Sequence, residues 1–279
     1  MKKITLLGLL CTVLYAEQAP QQTTIQTSFE SLQFDNSKKK DTGKRASIRI
    51  GYKEAESFYQ LAYERTNTDT FKPPLTKDLH VNRYTLKYTR ILDKKQSVNV
   101  SYRTIDDNIM KETNSGHIYG VGYRYGPASI TQYLSDYKHF NVYQTDLTYN
   151  IKHNYAGAQI KFTLIAKYLH LSDKDSNGFS KNAQENYLTP GIKIHAQHHG
   201  YSVGAGAFFG KRIFAVMDNG FQVQHHAMEF KETYMLGLGK QFGKINAKLR
   251  YVYQMAEEIP IHNDNVEVQN LALQLRYAF

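Results

Sequence analysis

The sequence lacks several features that define common protein classes. Its 279 residues include one cysteine and no tryptophan, so neither a disulfide scaffold nor a cysteine-rich zinc fold is available. The mean hydropathy of −0.55 excludes a bundle of membrane-spanning helices, since each helix needs about 20 consecutive apolar residues. Disorder is also excluded, because aromatic residues make up 13% of the chain. What is present is a Tyr-rich chain with 18 glycines and a net charge of +10, which suits a soluble β protein or a transmembrane β-barrel.

The first sixteen residues predict a secretory signal peptide. Lys2 and Lys3 precede an apolar run over residues 4–14, and Ala16 supplies a small residue for cleavage. The run is about half as long as a membrane-spanning helix. Cys11 raises lipid attachment as an alternative, although the bulky Leu10 directly precedes it. We expect cleavage after Ala16, which leaves residues 17–279 as one domain without cysteine.

Apolar and polar residues alternate with a period of two along most of this domain, and no long window keeps helical periodicity. Segments of about ten residues with this pattern are typical of a membrane barrel, although a soluble sandwich alternates as well. The longest apolar series is Ala158, Ile160, Phe162, Leu164, Ala166 and Tyr168; shorter ones include Ile48, Ile50 and Tyr52, and Tyr84, Leu86 and Tyr88.

Two further features favour the membrane barrel over the sandwich. Tyrosines such as Tyr52, Tyr102 and Tyr253 end the apolar face of many segments, as in the aromatic girdles at a lipid boundary. The connections also alternate between short turns and longer, mostly polar loops, as expected for periplasmic turns and outside loops.

The order of turns and loops predicts the number of strands. Reading backwards from a descending strand at Phe279 gives thirteen strands as far as Arg45. Because bacterial barrels have an even number of strands, residues 24–34 are predicted to form a first ascending strand. The sequence therefore predicts an all-β fold, an antiparallel up-and-down barrel of 14 strands, with 12 strands as the alternative.

The chain ends in a short motif that resembles a known family. Leu273, Leu275, Tyr277 and the final Phe279 look like the terminal strand of Gram-negative outer-membrane barrels. Size and pattern are most similar to small monomeric porins. The resemblance implies an outer-membrane location, contact with lipid and lipopolysaccharide, and recognition by the barrel-assembly machinery. It also implies passive diffusion of small hydrophilic solutes, without an enzymatic activity or a cofactor.

If the Tyr, Leu and Ile side chains face lipid, the alternate positions face the lumen and carry mainly positive charge. Acidic candidates on this face are few (Glu64, Asp146 and Glu229), and acidic residues such as Asp218 fall in predicted outside loops. A basic lumen attracts anions, which predicts a preference for small anionic solutes such as carboxylates. The predicted basic lining consists of Arg49, Arg83, Lys87, Arg103, Arg124, Lys161, Lys167, Lys193, Lys231, Lys248, Arg250 and Arg276.

The sequence shows neither a long inward loop nor a subunit interface, so we expect a monomer. Several glycines fall at inward positions and are attributed to strand curvature and close packing. They are Gly120, Gly122, Gly204, Gly206, Gly237 and Gly239. Loops that stopper the lumen are the alternative to an open passage.

Metal and nucleic-acid sites are not predicted. Adjacent residues of a strand point to opposite faces, so His198 and His199 form no obvious two-ligand site, nor do His225 and His226. The acidic stretch 173–178 lacks the glutamate at the twelfth position of a helical calcium loop. Export and a lumenal position of the basic residues argue against nucleic-acid binding.

Two alternative functions remain open at the sequence level. A non-conducting structural barrel or an adhesin has the same pattern of strands. An outer-membrane lipid hydrolase requires a nucleophile and a base on the lipid-facing wall, and His117 near Ser115 is the nearest arrangement. The channel is the function that the basic lumen favours.

Overall fold

Fourteen antiparallel strands close into one barrel in the computed structural model, which describes residues 21–109, 113–172, 183–224 and 228–279. The predicted signal peptide and the acidic stretch 173–178 lie outside the described residues. Among the described residues, no helix is long and apolar enough to cross a bilayer. The barrel strands are β1 (Gln22–Asp35), β2 (Lys40–Glu54), β3 (Ser57–Thr70), β4 (Leu79–Ile91), β5 (Gln96–Asp107), β6 (His117–Tyr125), β7 (Ala128–Asp136), β8 (Asn141–Tyr155), β9 (Ala158–Ser172), β10 (Asn186–His198), β11 (Tyr201–Phe208), β14 (Met228–Phe242), β15 (Ile245–Glu258) and β16 (Asn263–Ala278); β12 (Val216–Met217) and β13 (Gln222–Val223) form a separate hairpin.

The barrel closes between the first and the last strand. Ile25 lies opposite Tyr277 and Phe34 lies opposite Val268, so β1 and β16 pair along most of their lengths. β1 pairs with β2 on its other side. This confirms the predicted count of 14 strands and the ascending first strand. Closure leaves no strand edge unpaired, which a sheet in hydrocarbon requires.

The connections differ at the two ends of the barrel. At one end they span two to four residues, over 55–56, 92–95, 126–127, 156–157, 199–200 and 243–244. At the other end they range from four residues (36–39, 137–140 and 259–262) to nineteen (209–227). In outer-membrane barrels the short turns lie in the periplasm, which makes the long-loop end the outer one.

Two of the short turns have the geometry that tight hairpins require. Ala156 and Gly157 both have positive φ, of 46° and 78°, and His199 and Gly200 have φ of 45° and 78°. Positive φ at both central residues matches the twist of the flanking strands, and glycine adopts it without strain. The turns therefore fix the register of the strand pairs β8–β9 and β10–β11.

The outward face of the barrel is apolar. Aromatic neighbours line its edge, with the rings of Tyr59 and Tyr88 5.0 Å apart and those of Tyr63 and Tyr84 5.1 Å apart. A continuous exposed apolar surface is stable only against lipid. Exposed apolar side chains from around the barrel include Phe29, Ile48, Leu61, Leu86, Val100, Val121, Leu147, Leu164, Leu188, Ile192, Val203, Leu236, Leu249 and Leu271.

Candidate functional site

A long loop enters the lumen after β11. We call residues 209–227 the inner loop; the structure describes it as far as Gln224, including the hairpin of β12 and β13. Ile213, Phe214, Ala215 and Val216 are all buried within it. The expectation of no long inward loop is therefore wrong, and residues 216–224, which include Asp218, do not lie in an outside loop as predicted.

The inner loop packs against one side of the lumenal wall. Phe214 contacts Phe140 and Tyr137, with ring centroids 4.8 and 5.8 Å apart. Burial of this apolar surface holds the loop in place. The wall residues in the same cluster lie near the outer ends of β4 to β10, namely Leu79, Val81, Ile105, Ile118, Tyr133, Val142, Leu169, Leu171 and Tyr187.

Polar side chains of β8 and β9 anchor the hairpin. Gln144 donates a hydrogen bond to the carbonyl of Val216 and accepts one from its amide, both at 2.8 Å. Lys167 donates to the same carbonyl at 3.1 Å. Gln144 is buried, so it satisfies the hairpin edge where water is excluded.

The tip of the inner loop reaches the opposite wall. Asp218 lies 3.2 Å from the guanidinium of Arg49 on β2. The ring of Phe221 lies 3.5 Å from the same guanidinium carbon. Lys87 on β4 donates to the carbonyl of Asn219 at 2.9 Å. The loop therefore spans the lumen, and Asp218 is a lumenal residue rather than part of an outside loop.

One carboxylate on the lumenal wall is surrounded by arginines. Glu64 on β3 accepts a hydrogen bond from Arg83 on β4, and both side chains are buried. Arg45 Nε and Arg103 Nη2 lie 3.7 and 3.8 Å from the two oxygens of Glu64. The carboxylate offsets part of the charge of three guanidinium groups, which lowers the cost of burying them on this wall.

A second carboxylate continues this network. Glu30 on β1 lies 3.0 Å from Arg45 and 3.6 Å from Arg250 on β15, and accepts a hydrogen bond from Asn270 on β16 at 2.7 Å. The network thus crosses the wall from β15 through β1 to β5. It contains four arginines (Arg45, Arg83, Arg103 and Arg250) and two glutamates (Glu30 and Glu64), an excess of two positive charges.

A narrow cavity of about 150 Å³ lies between this charged wall and the inner loop. On the wall it is lined by Arg45, Glu64, Arg83, Lys193 and Arg250. On the loop side the lining includes Met217, Asp218 and Gln222. The inner loop fills the apolar side of the lumen, and this cavity lies on its charged side.

The predicted basic residues fall into three groups. The first group contacts the inner loop, a lumenal carboxylate or the cavity, and consists of Arg49, Arg83, Lys87, Arg103, Lys167, Lys193 and Arg250. The second group lies on the inward register towards the short turns, and consists of Arg124, Lys161, Lys248 and Arg276. Lys231 lies at a β-bulge near the outer rim, 3.8 Å from Glu257. Their part in conduction stays a prediction.

Sequence reasoning missed several lumenal residues. Glu30 and Arg45 alternate with lipid-facing residues of β1 and β2, a signal that was present in the sequence. Arg212 of the inner loop is buried; it donates to Gln224 at 3.1 Å and to Thr233. Nothing in the local pattern of a loop predicts such burial.

The other candidate sites have ordinary surroundings. His117 Nδ1 lies 2.8 Å from the hydroxyl of Tyr102, and the two rings stack on the lipid-facing side. These contacts suit an aromatic girdle. His199 lies in a type I′ turn, and within the described ranges no group of three or more His, Cys, Asp or Glu residues is arranged to hold a metal ion.

Comparison with solved structures finds the same barrel architecture. The crystal structure of the Acinetobacter baumannii outer membrane protein Omp33 superposes with a TM-score of 0.52 at 10% identity, over 92% of this chain and 99% of that one. A bacterial polysaccharide outer membrane secretin superposes with a TM-score of 0.55 at 7% identity, over 92% and 98%. No family model and no curated protein matches the sequence. The likeness is therefore one of fold, a closed antiparallel β-barrel with an apolar exterior.

Proposed function

We propose that the protein is a porin-like channel for passive diffusion of small hydrophilic solutes, with a preference for anions. The observation that carries the proposal is the cavity between the inner loop and the arginine-rich wall. Arg45, Arg83, Lys193 and Arg250 line this cavity, with Glu64 and Asp218 as its acidic lining residues. An excess of positive charge in a narrow aqueous passage attracts anions and repels cations.

The geometry supports selection by both size and charge. A cavity of about 150 Å³ has room for only a handful of water molecules, so the inner loop limits the width of the passage. The guanidinium groups present paired N–H donors that match a carboxylate. Small carboxylate-bearing solutes are therefore the substrates that we propose, and a monomer is sufficient because the passage lies inside one barrel.

Recording of single channels across a salt gradient tests the proposal. We expect the refolded protein to conduct in planar bilayers with a reversal potential of the sign for anions. Arg250→Gln should reduce the preference, because it removes a charge that lines the cavity. Arg65→Gln is the matched control, since Arg65 is exposed on the outward register of β3 and its loss changes the net charge equally. Cation preference of the unaltered protein would contradict the proposed selectivity.

A non-conducting barrel is the second candidate, because the inner loop fills much of the lumen. Such a barrel would serve a structural or adhesive purpose at the outer surface. The same recording separates the two, since absence of any conductance from correctly folded protein would reject the channel and favour this alternative.

A further inference from the structure

A series of basic side chains crosses the lumenal wall on the periplasmic side of the inner loop. Lys152 on β8 lies directly opposite Lys161 on β9, and Lys161 lies directly opposite His195 on β10. Each residue is four positions from the nearest residue of a short turn. Directly paired residues of neighbouring strands have Cβ atoms about 5 Å apart, so the three side chains share one face at short range.

These charges have little compensation. Lys161 interacts electrostatically with Lys152 and Arg124, which carry charges of the same sign, and the cations Lys161 and Lys248 lie near the His195 imidazole. The lumenal carboxylates lie beside other cations: Asp218 lies 3.2 Å from Arg49, Asp146 is paired with Lys167, and Glu30 lies 3.0 Å from Arg45 and 3.6 Å from Arg250. Among the described residues, neither Lys152 nor Lys161 forms an ion pair. Like charges directly opposite each other destabilise a sheet. Lys152 and Lys161 face each other at a cost in stability, and no carboxylate of the described fold is paired with them. Such an unbalanced arrangement points to a ligand.

Glycines extend the same series and leave space beside it. Gly204 on β11 lies opposite His195, Gly237 on β14 lies opposite Gly204, and Arg250 on β15 lies opposite Gly237. A Cβ atom on Gly237 would meet only the carbonyl of Leu249, at 3.6 Å, and one on Gly204 nothing nearer than 3.5 Å. Larger residues would fit here, so glycine leaves room in the lumen.

Gly120, in contrast, has a structural reason to be glycine. A Cβ atom there would lie 2.4 Å from Ser101 Oγ and 2.7 Å from the ring of Tyr133. Close packing thus explains Gly120, as expected from the sequence, but it does not explain Gly204 and Gly237. The open floor between His195 and Arg250 is a separate feature.

We propose that these residues bind a polyvalent anion that enters from the periplasmic end, of the oligophosphate class. The basic arc, as we name it, consists of Lys152, Lys161, His195 and Arg250, with Gly204 and Gly237 as its floor. Lysine ammonium groups act as point charges and suit phosphate oxygens without a fixed orientation. Lys152 and Lys161, which form no ion pair among the described residues, together with Arg250, which shares Glu30 with Arg45, match an anion of several charges. The site deepens the proposed channel function, yet binding does not require conduction.

Calorimetric titration of the refolded, detergent-solubilised protein with inorganic tripolyphosphate at low salt tests the site. The double variant K152Q/K161Q should bind roughly tenfold more weakly, because it loses two charges of the arc. K94Q/K95Q is the matched control, since both lysines are exposed in the turn between β4 and β5 at the same end of the barrel. Equal affinity of the two double variants, or no binding by the unaltered protein, would overturn the proposal.

A charge reversal supplies a second readout, the midpoint of unfolding, which a misfolded variant would not raise. Lys161→Glu places a carboxylate between Lys152 and His195, so it should raise the denaturant midpoint of unfolding while weakening tripolyphosphate binding. A lower midpoint for this variant would contradict the argument from like charges.

The outcomes for channel and site are distinguishable. Tripolyphosphate binding by a barrel that does not conduct would reject the channel and leave the basic arc supported. Anion-selective conduction without tripolyphosphate binding would overturn the basic arc alone.

In planar bilayers, addition of tripolyphosphate to each side in turn should reduce the current mainly from the periplasmic side.

Discussion

Glu64 connects three arginines of the lumenal wall, a role that its position in the sequence does not suggest. It accepts a hydrogen bond from Arg83 and lies within 3.8 Å of both Arg45 and Arg103. A buried ion pair contributes little compared with apolar packing, but removal of one partner leaves the others buried and uncompensated. The stability of this wall therefore depends strongly on Glu64, with Glu30 as the second carboxylate of the network.

Glu64→Gln should lower the free energy of unfolding by about 3 kcal/mol, because three arginines lose their shared counter-charge. Glu56→Gln should lower it by less than about 1 kcal/mol, since Glu56 forms an exposed pair with Arg90. Urea unfolding of both variants in the same lipid or detergent measures the difference. Equal effects would show that Glu64 does not compensate these arginines.

Gln144 acts on the inner loop rather than on the wall. Its two hydrogen bonds to Val216 are each worth about 1 kcal/mol, so Gln144→Ala should loosen the hairpin without unfolding the barrel. We expect hydrogen exchange at the Val216 amide to become faster. Thr145→Ala, at the adjacent lipid-facing position, should leave that exchange unchanged; faster exchange in both variants would argue against a specific anchor.

At the scale of the strands, the two faces experience different solvents. Leu249 on β15 is exposed to lipid, whereas its neighbours Lys248 and Arg250 lie on the inward register. A charge on the lipid face costs about 2–4 kcal/mol at the bilayer midplane and about 1 kcal/mol or less near the interface.

Leu249→Lys should therefore destabilise the barrel by about 2–4 kcal/mol in lipid vesicles. Ile245→Lys, at the start of the same strand, should cost about 1 kcal/mol or less, because it lies next to the periplasmic turn. Reversible unfolding in vesicles measures both. Similar costs at the two positions would contradict the depth that the structure assigns to β15.

The strands were predictable because one physical pattern, alternation against lipid, governs each of them. The count of 14 followed from the order of turns and loops and the even number of strands in bacterial barrels, and Arg83, Arg103 and Lys167 were predicted as alternate positions. The inner loop was not found because the pattern reverses near the outer ends of the strands. There Leu79 and Val81 face inward and are buried, while His80 and Asn82 lie on the outward register. That reversal, together with the apolar residues 213–216, was the available signal for an occupied lumen.

At the scale of the whole molecule, the inner loop divides the lumen into an apolar filled side and a charged side that holds the cavity. Replacement of residues 216–223 by a short Gly/Ser linker removes the hairpin and its contacts with Gln144 and Arg49. We expect a severalfold higher single-channel conductance with weaker selectivity. Unchanged conductance in the folded variant would show that the hairpin does not limit the passage.

The central claim is that the cationic side of the strands encloses water while the apolar side meets lipid. Cysteine accessibility at two adjacent positions of β14 tests it most directly, with Cys11 replaced by alanine. Gly237→Cys, beside Arg250, should react with a membrane-impermeant thiol reagent in bilayers, and faster with an anionic than with a cationic form. Leu236→Cys should react with neither. Reaction at position 236 but not at 237, or a faster cationic reagent at 237, would contradict the account.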